Sequence, residues 1–164
     1  MPWRLLPMLT LALLLAACGS TPTSSNSHPP AAFHPPADWV QVEARGYFTF
    51  WIPNTLVEQT VRGTDSYVGL WKGSGLEVLF DYGMYSGGMD SRISARPHTE
   101  AVDDSSGRRG TIVTYVDDEG NHVAELLVRD PGPGQTPDNL TFDANSGSAS
   151  DADTCLLIVK SVRF

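Results

Sequence analysis

Two carboxylates and two phenols stand close together in the middle of the chain. Asp65-Ser66-Tyr67 and Asp81-Tyr82-Gly83-Met84-Tyr85-Ser86 flank the stretch from Val68 to Phe80, and a hairpin folded over that stretch brings both groups to one end. Asp81 stands between Phe80 and Tyr82, a setting where burying a carboxylate demands compensating partners. Asp65 and Asp81 could then act as a paired acid and base, or accept hydrogen bonds from a polar ligand beside Tyr67 and Tyr85. The plainer alternative is that strand alternation turns Asp81 to solvent while its neighbours face inward, with Asp65 capping a turn. A hydrolase using this carboxylate pair is therefore the alternative function, and binding by Asp65, Tyr67, Asp81 and Tyr85 is the leading one.

The motifs of several enzyme classes are missing. A nucleophile elbow needs G-x-S-x-G between a strand and a helix, and Gly63-Thr-Asp-Ser-Tyr-Val-Gly69 has the wrong spacing. No H-E-x-x-H, G-x-x-x-x-G-K or G-x-G-x-x-G occurs, so the motifs for zinc peptidases, phosphate loops and dinucleotide binding are absent. No catalytic residue is assigned. His28 and His34 each adjoin a proline pair without a third ligand or a rigid frame. Asp117-Asp118-Glu119-Gly120-Asn121 offers oxygens at short spacing but lacks the alternating ligands and distant bidentate Glu of a calcium loop. It reads as a hairpin tip, and no metal is expected.

A formal charge of −8 over 164 residues makes binding to nucleic-acid phosphates unfavourable. Within that acidic chain Arg92, Arg96, His98, Arg108 and Arg109 fall in a short span. They form either a local surface for an anionic partner, such as a polysaccharide or another envelope protein, or scattered loop arginines. Two cysteines make no disulfide framework, and the apolar neighbours of Cys155 mark it as a buried, inert thiol.

The other cysteine closes a different pattern. Residues 1–17, MPWRLLPMLTLALLLAA, carry one positive side chain, Arg4, before an apolar stretch of about 13 residues, too short to cross a hydrocarbon core that needs roughly 20. This is the form of a secretory signal peptide. Its ending, Leu15-Ala16-Ala17-Cys18 followed by Gly19-Ser20, resembles the lipobox of bacterial lipoproteins. The resemblance implies a diacyl thioether on Cys18, cleavage before it and acylation of the new terminus; this covalent lipid is the only cofactor expected. Two or more acyl chains hold a protein stably on a bilayer, so the partner implied first is a membrane. By the same resemblance Gly19, where an Asp would retain the protein at the inner membrane, points to the outer membrane, facing the periplasm.

Removal of residues 1–17 leaves ten basic against 19 acidic side chains, a formal charge of −9 with an acylated terminus. Residues 18–37 follow as lipidated cysteine and spacer. Between Gly19 and Ala37 there are five Pro, six Ser or Thr and one large apolar side chain, Phe33, too little apolar surface to offset the entropy of ordering. Such a spacer reaches roughly 25 Å as a coil and up to about 60 Å in polyproline geometry.

Residues 38–164 are long enough for one globular domain with a core. Tyr47 to Ile52 reads as a strand with apolar side chains on both faces, ended by Pro53. Leu56 to Trp71, broken at Gly63, reads as two strands or one bent strand, with Leu76 to Tyr82 returning after Gly73-Ser74-Gly75. Thr111–Val116 and His122–Val128 form a hairpin around the acidic loop, and Leu140–Phe142 a short strand. Ser148 to Phe164 reads as a helix and an extended tail, with Ser150 as cap, Asp151 and Asp153 in the first turn, and Ala152, Cys155, Leu156 and Val159 on one face. A buried strand over Cys155–Val159 is the alternative.

These pieces make an α+β domain, an antiparallel β-sheet with a C-terminal helix packed on one face. The aromatic strand closing in Pro53 and the ending Ile158-Val-Lys-Ser-Val-Arg-Phe164 resemble the PsbP-like fold of small extracytoplasmic proteins. Asp65-Ser-Tyr-Val-Gly69 and Phe80-Asp-Tyr-Gly-Met-Tyr-Ser86 are similar to segments of uncharacterised bacterial envelope proteins. The expected function is a membrane-anchored extracytoplasmic lipoprotein serving as a binding or structural module of the cell envelope.

Overall fold

Buried and part-exposed side chains alternate without a break over Leu76–Gly83 and again over Asn139–Ser146, the period-two pattern of strands with one face in a core. A computed structural model of the chain describes residues 33–86, 98–103, 108–129 and 139–164. The leader, Cys18 and most of the spacer, together with Arg92 and Arg96, lie outside those residues. The described strands are β1 Trp39–Ala44, β2 Phe48–Pro53, β3 Val57–Gln59, β4 Tyr67–Gly73, β5 Leu76–Gly83, β6 His98–Asp103, β7 Arg109–Val116, β8 His122–Arg129 and β9 Asn139–Ser146. A single turn of 3-10 helix, Ala149–Asp151, leads into the helix α1, Ala152–Lys160.

Seven strands join in the order β3-β4-β5-β9-β8-β7-β6, each pair antiparallel, while β1 and β2 form a separate two-stranded ribbon. The last strand in sequence, β9, therefore occupies the centre. It pairs on one side with β5, Phe80 opposite Phe142, and on the other with β8, Leu126 opposite Phe142. Both the ribbon and α1 lie on the sheet face that carries Val78, Phe80, Phe142, Ala144 and Leu126, all members of one buried cluster.

Phenylalanine rings fill the space between ribbon and sheet. Phe48 meets Phe80 edge-on at 5.0 Å, and Phe50 meets Phe142 at 4.9 Å and Trp71 at 5.2 Å. Each fully buried ring contributes about 1.5–3 kcal/mol by leaving water, and edge-to-face pairs add about 0.5–1.5 kcal/mol each. The helix completes the cluster with Cys155, Ile158 and Val159, all buried. It ends where the Ser161 hydroxyl donates to the Ile158 carbonyl at 2.6 Å and accepts the Trp51 N–H at 2.8 Å, which ties the helix to β2. Beyond it Arg163 bridges to Thr49.

The fold is thus mostly antiparallel sheet with one C-terminal helix packed on it, a mixed α+β fold. Several details differ from the sequence reading. β1 and β6 are additional strands, and β9 starts one residue before Leu140–Phe142 and runs four residues beyond it. The break near Gly63 does separate two strands. Cys155–Val159 is helical, and the helix begins later than Ser148, because residues 149–151 wind into a tighter turn. Ser150 consequently does not cap it: its hydroxyl pairs with that of Ser148 at 2.7 Å, and Asp151 stands at the cap position without a side-chain cap bond. The inward face is Cys155, Ile158 and Val159, with Leu156 partly buried and Leu157 exposed. Phe33, the one large apolar side chain of the spacer, packs at a tilt against Trp39, 6.4 Å between ring centres.

Candidate functional site

The ribbon reverses through Ala44-Arg45-Gly46-Tyr47, where the Tyr47 N–H donates to the Ala44 carbonyl at 2.9 Å. Arg45 has φ 50° and Gly46 φ 77°, the two left-handed residues of the tight hairpin turn whose twist matches paired strands. Gly46 adopts this freely. Arg45 carries a Cβ into a region favoured by Gly, Asn and Asp.

That turn lies above the end of the sheet where β4 begins and β5 finishes, with Tyr67 opposite Tyr82 in register. Tyr47 packs on Tyr82 at 4.7 Å and lies 6.2 Å from Tyr67. Tyr67 rests edge-on against Phe80 at 5.0 Å, and the Arg45 guanidinium lies 4.3 Å over the Tyr67 ring. The result is a corner of three phenols and one guanidinium joined directly to the core. Tyr82 is 7% exposed and Tyr47 47%, so the outermost ring is both packed on its neighbours and half open to solvent.

The sequence candidates distribute around this end as follows. Tyr67 is part of the corner. Tyr85 is 75% exposed in the turn after β5, and Asp65 is exposed in the loop before β4. Asp81 pairs with Val68 and Thr141 between the inward-facing Phe80 and Tyr82, so its side chain leaves through the other face of the sheet from Tyr67. Neither carboxylate bonds to the other. That face is part-exposed at Leu79, Asp81, Thr141 and Asp143, as alternation expects, and closed at Glu125, 2% exposed, and at the fully buried Val113. Asp143 stands directly opposite Glu125 on β9, and Oδ1 of Asp81 is buried without a hydrogen-bond partner among the described residues. Ser86, itself buried, fixes the neighbouring backbone by donating to the Asp81 carbonyl at 2.5 Å and accepting the Thr141 N–H at 3.0 Å.

The basic cluster is divided too. Arg108 and Arg109 are at the Tyr67 end of the sheet, whereas His98 pairs with Thr114 near the other end of β7, about 16 Å away at strand rise. Arg108 lies 4.3 Å over the ring of the C-terminal Phe164, which packs on Phe48 at 5.8 Å. Arg129 ends β8 at the same end, and Arg163 follows the helix there. The acidic hairpin tip is at the opposite end. Asp117 accepts the Glu119 and Asn121 N–H groups at 2.9 and 2.8 Å and the Asn121 amide at 2.9 Å; the Asn121 side-chain bond leads the interactions that hold its carboxyl below the ordinary range. These bonds occupy both oxygens in closing the turn.

Sequence reasoning missed Arg45 and Tyr47 as site residues. The signal was Arg45-Gly46 between two apolar alternating runs, a hairpin signature that needed β1 to be seen first.

No known family and no curated protein sequence matches the chain. Solved structures do resemble it. The Ran-binding protein Mog1p of Saccharomyces cerevisiae matches at a TM-score of 0.42 and 11% identity, covering 76% of this chain and 94% of that one. A point mutant of Mog1 matches at 0.40 and 12%, covering 76% and 95%.

Proposed function

We propose that the protein is a lipid-anchored extracytoplasmic binding module of the cell envelope, attached through Cys18 and presenting its α+β domain to the periplasm from the outer membrane. The anchor rests on the Leu15-Ala16-Ala17-Cys18 pattern at the end of a short apolar leader. Binding rather than catalysis is supported by one observation: the exposed chemistry converges on aromatic rings and a guanidinium at Arg45, Tyr47 and Tyr67, whereas Asp65 and Asp81 share no bond and Tyr67 is on the other sheet face from Asp81. Acid and base catalysis needs groups that reach one proton. Stacked rings beside a cation suit recognition instead.

Growth of an expressing bacterium with an alkyne palmitate analogue tests the anchor. The protein should take up label and fractionate with membranes, and Cys18→Ala should lose both. Labelling that survives in Cys18→Ala, or an unlabelled wild-type chain, defeats the anchor.

A further inference from the structure

We propose that the Arg45, Tyr47 and Tyr67 corner is a subsite for a carboxylated glycan, with a sugar ring lying on the exposed side of Tyr47 and its carboxylate received by Arg45. This deepens the binding reading and rests on it.

Tyr47 packs at a tilt against Tyr82 and Tyr67 and is half exposed, so an aromatic surface is already held in place and little ordering entropy opposes binding. The C–H face of a sugar is apolar and its rim polar, which matches an aromatic ring next to a second phenol that carries a guanidinium. Stacking on Tyr67 fixes the plane of Arg45, and a planar, always charged fork fits a carboxylate in bidentate fashion. A protein partner needs about 800 Å² of surface on each side, and the large exposed apolar side chains at this end are Tyr47, Met84 and Tyr85 alone among the described residues. Arg45 supplies the charge that selects the anion; Arg108, Arg109, Arg129 and Arg163 lie at the same end, together with Glu43, Asp65 and Asp103.

The test uses the full chain, purified in detergent from a bacterial host, and isothermal titration at low salt with three oligosaccharides of equal length. One alternates N-acetylglucosamine and N-acetylmuramic acid, one is oligogalacturonate, and one is the neutral N-acetylglucosamine oligomer. A carboxylated oligomer should bind about ten- to a hundredfold more tightly than the neutral one, the ratio a charge-assisted hydrogen bond supplies. Binding of the muramic-acid oligomer alone identifies a cell-wall strand, and binding of both identifies carboxylated sugars in general. Arg45→Asn, which keeps the left-handed turn, should weaken binding by the same factor without shifting the melting curve. Arg45→Lys, which keeps the charge but not the fork, should fall between, and Tyr47→Ser should abolish stacking and most of the affinity. Equal binding of the neutral oligomer, an Arg45→Asn chain that binds like wild type, or no binding of any oligomer overturns the proposal, including the case where only an acidic protein is captured. The palmitate experiment reads a separate property, so an unlabelled chain that still binds the glycan removes the anchor and leaves the subsite standing.

Discussion

Cys155 shows how a single side chain is governed by its surroundings. Its apolar neighbours in sequence mark it as a core thiol, and it is fully buried. Burial first, and the nearby Asp151 carboxylate second, push its pKa up to about 11, because both disfavour the thiolate. Two consequences follow by different measurements. At pH 8 the folded protein should react with a thiol reagent only as fast as it unfolds, while the denatured chain reacts at once. In stability, the raised value means that the unfolded chain loses this proton first as pH rises, so the contribution of Cys155 is complete below about pH 9 and falls away towards pH 11. Denaturant midpoints should drop over that range in wild type and drop less in Cys155→Ala. Asp117 has the opposite sign: its lowered value adds stability above the ordinary carboxylate range and gives it up in acid. The chemistry of Cys155 was legible because it depends on immediate neighbours. Asp81 was legible only in part: alternation sends its side chain out through the other face, but the burial of its Oδ1 depends on residues outside its own strand.

The strands were readable where apolar side chains lie close together, not where they alternate most strictly: β9 alternates without a break, yet only Leu140–Phe142 stood out. β2, β5, β7 and β8 lie within a residue or two of their expected ranges, since the core face of each is carried by closely spaced apolar side chains. β3, with all three residues exposed, has no such pattern and exists only as an edge to β4. Gly69 belongs to the same scale. A Cβ there would stand 2.5 Å from the Phe80 ring and 2.7 Å from the Trp71 ring, so the missing side chain lets those rings close over β4. Gly69→Ala should cost about 1–3 kcal/mol by overpacking, measured by urea denaturation, and the same substitution at Gly75, where nothing lies within 4 Å but φ is +78°, should act only through backbone strain. A Gly69→Ala variant as stable as wild type would show that the rings yield more easily than their packing implies.

Across the whole molecule the two ends differ in charge. Asp38, Asp117, Asp118, Glu119, Asp151 and Asp153 gather at the end where the chain enters β1, and the arginines gather at the other, accompanied by Asp65 and Asp103. Six residues of β1 separate Asp38 from the Arg45 turn, about 20 Å of strand, so under the proposed anchor a tether arriving at Asp38 would leave the tyrosine corner pointing outward. None of this end-to-end arrangement could be read from sequence, because it depends on β9 entering the centre of the sheet and on the C-terminus returning to the ribbon. A chain ending at Lys160 would lack the Ser161 bond to Trp51 and the bridge from Arg163 to Thr49, and it should melt at markedly lower temperature by circular dichroism than the full chain; an unchanged melt would mean that α1 alone secures the ribbon. The same closure sets the order of events during synthesis. Residues 49 and 51 find their partners 110 or more positions later, and contacts so distant in sequence form slowly. The aromatic ribbon cannot shut fully over its core until residues 161–163 have been made. Such a chain remains open while it is being made, the condition under which a polypeptide can be threaded through a membrane before it folds.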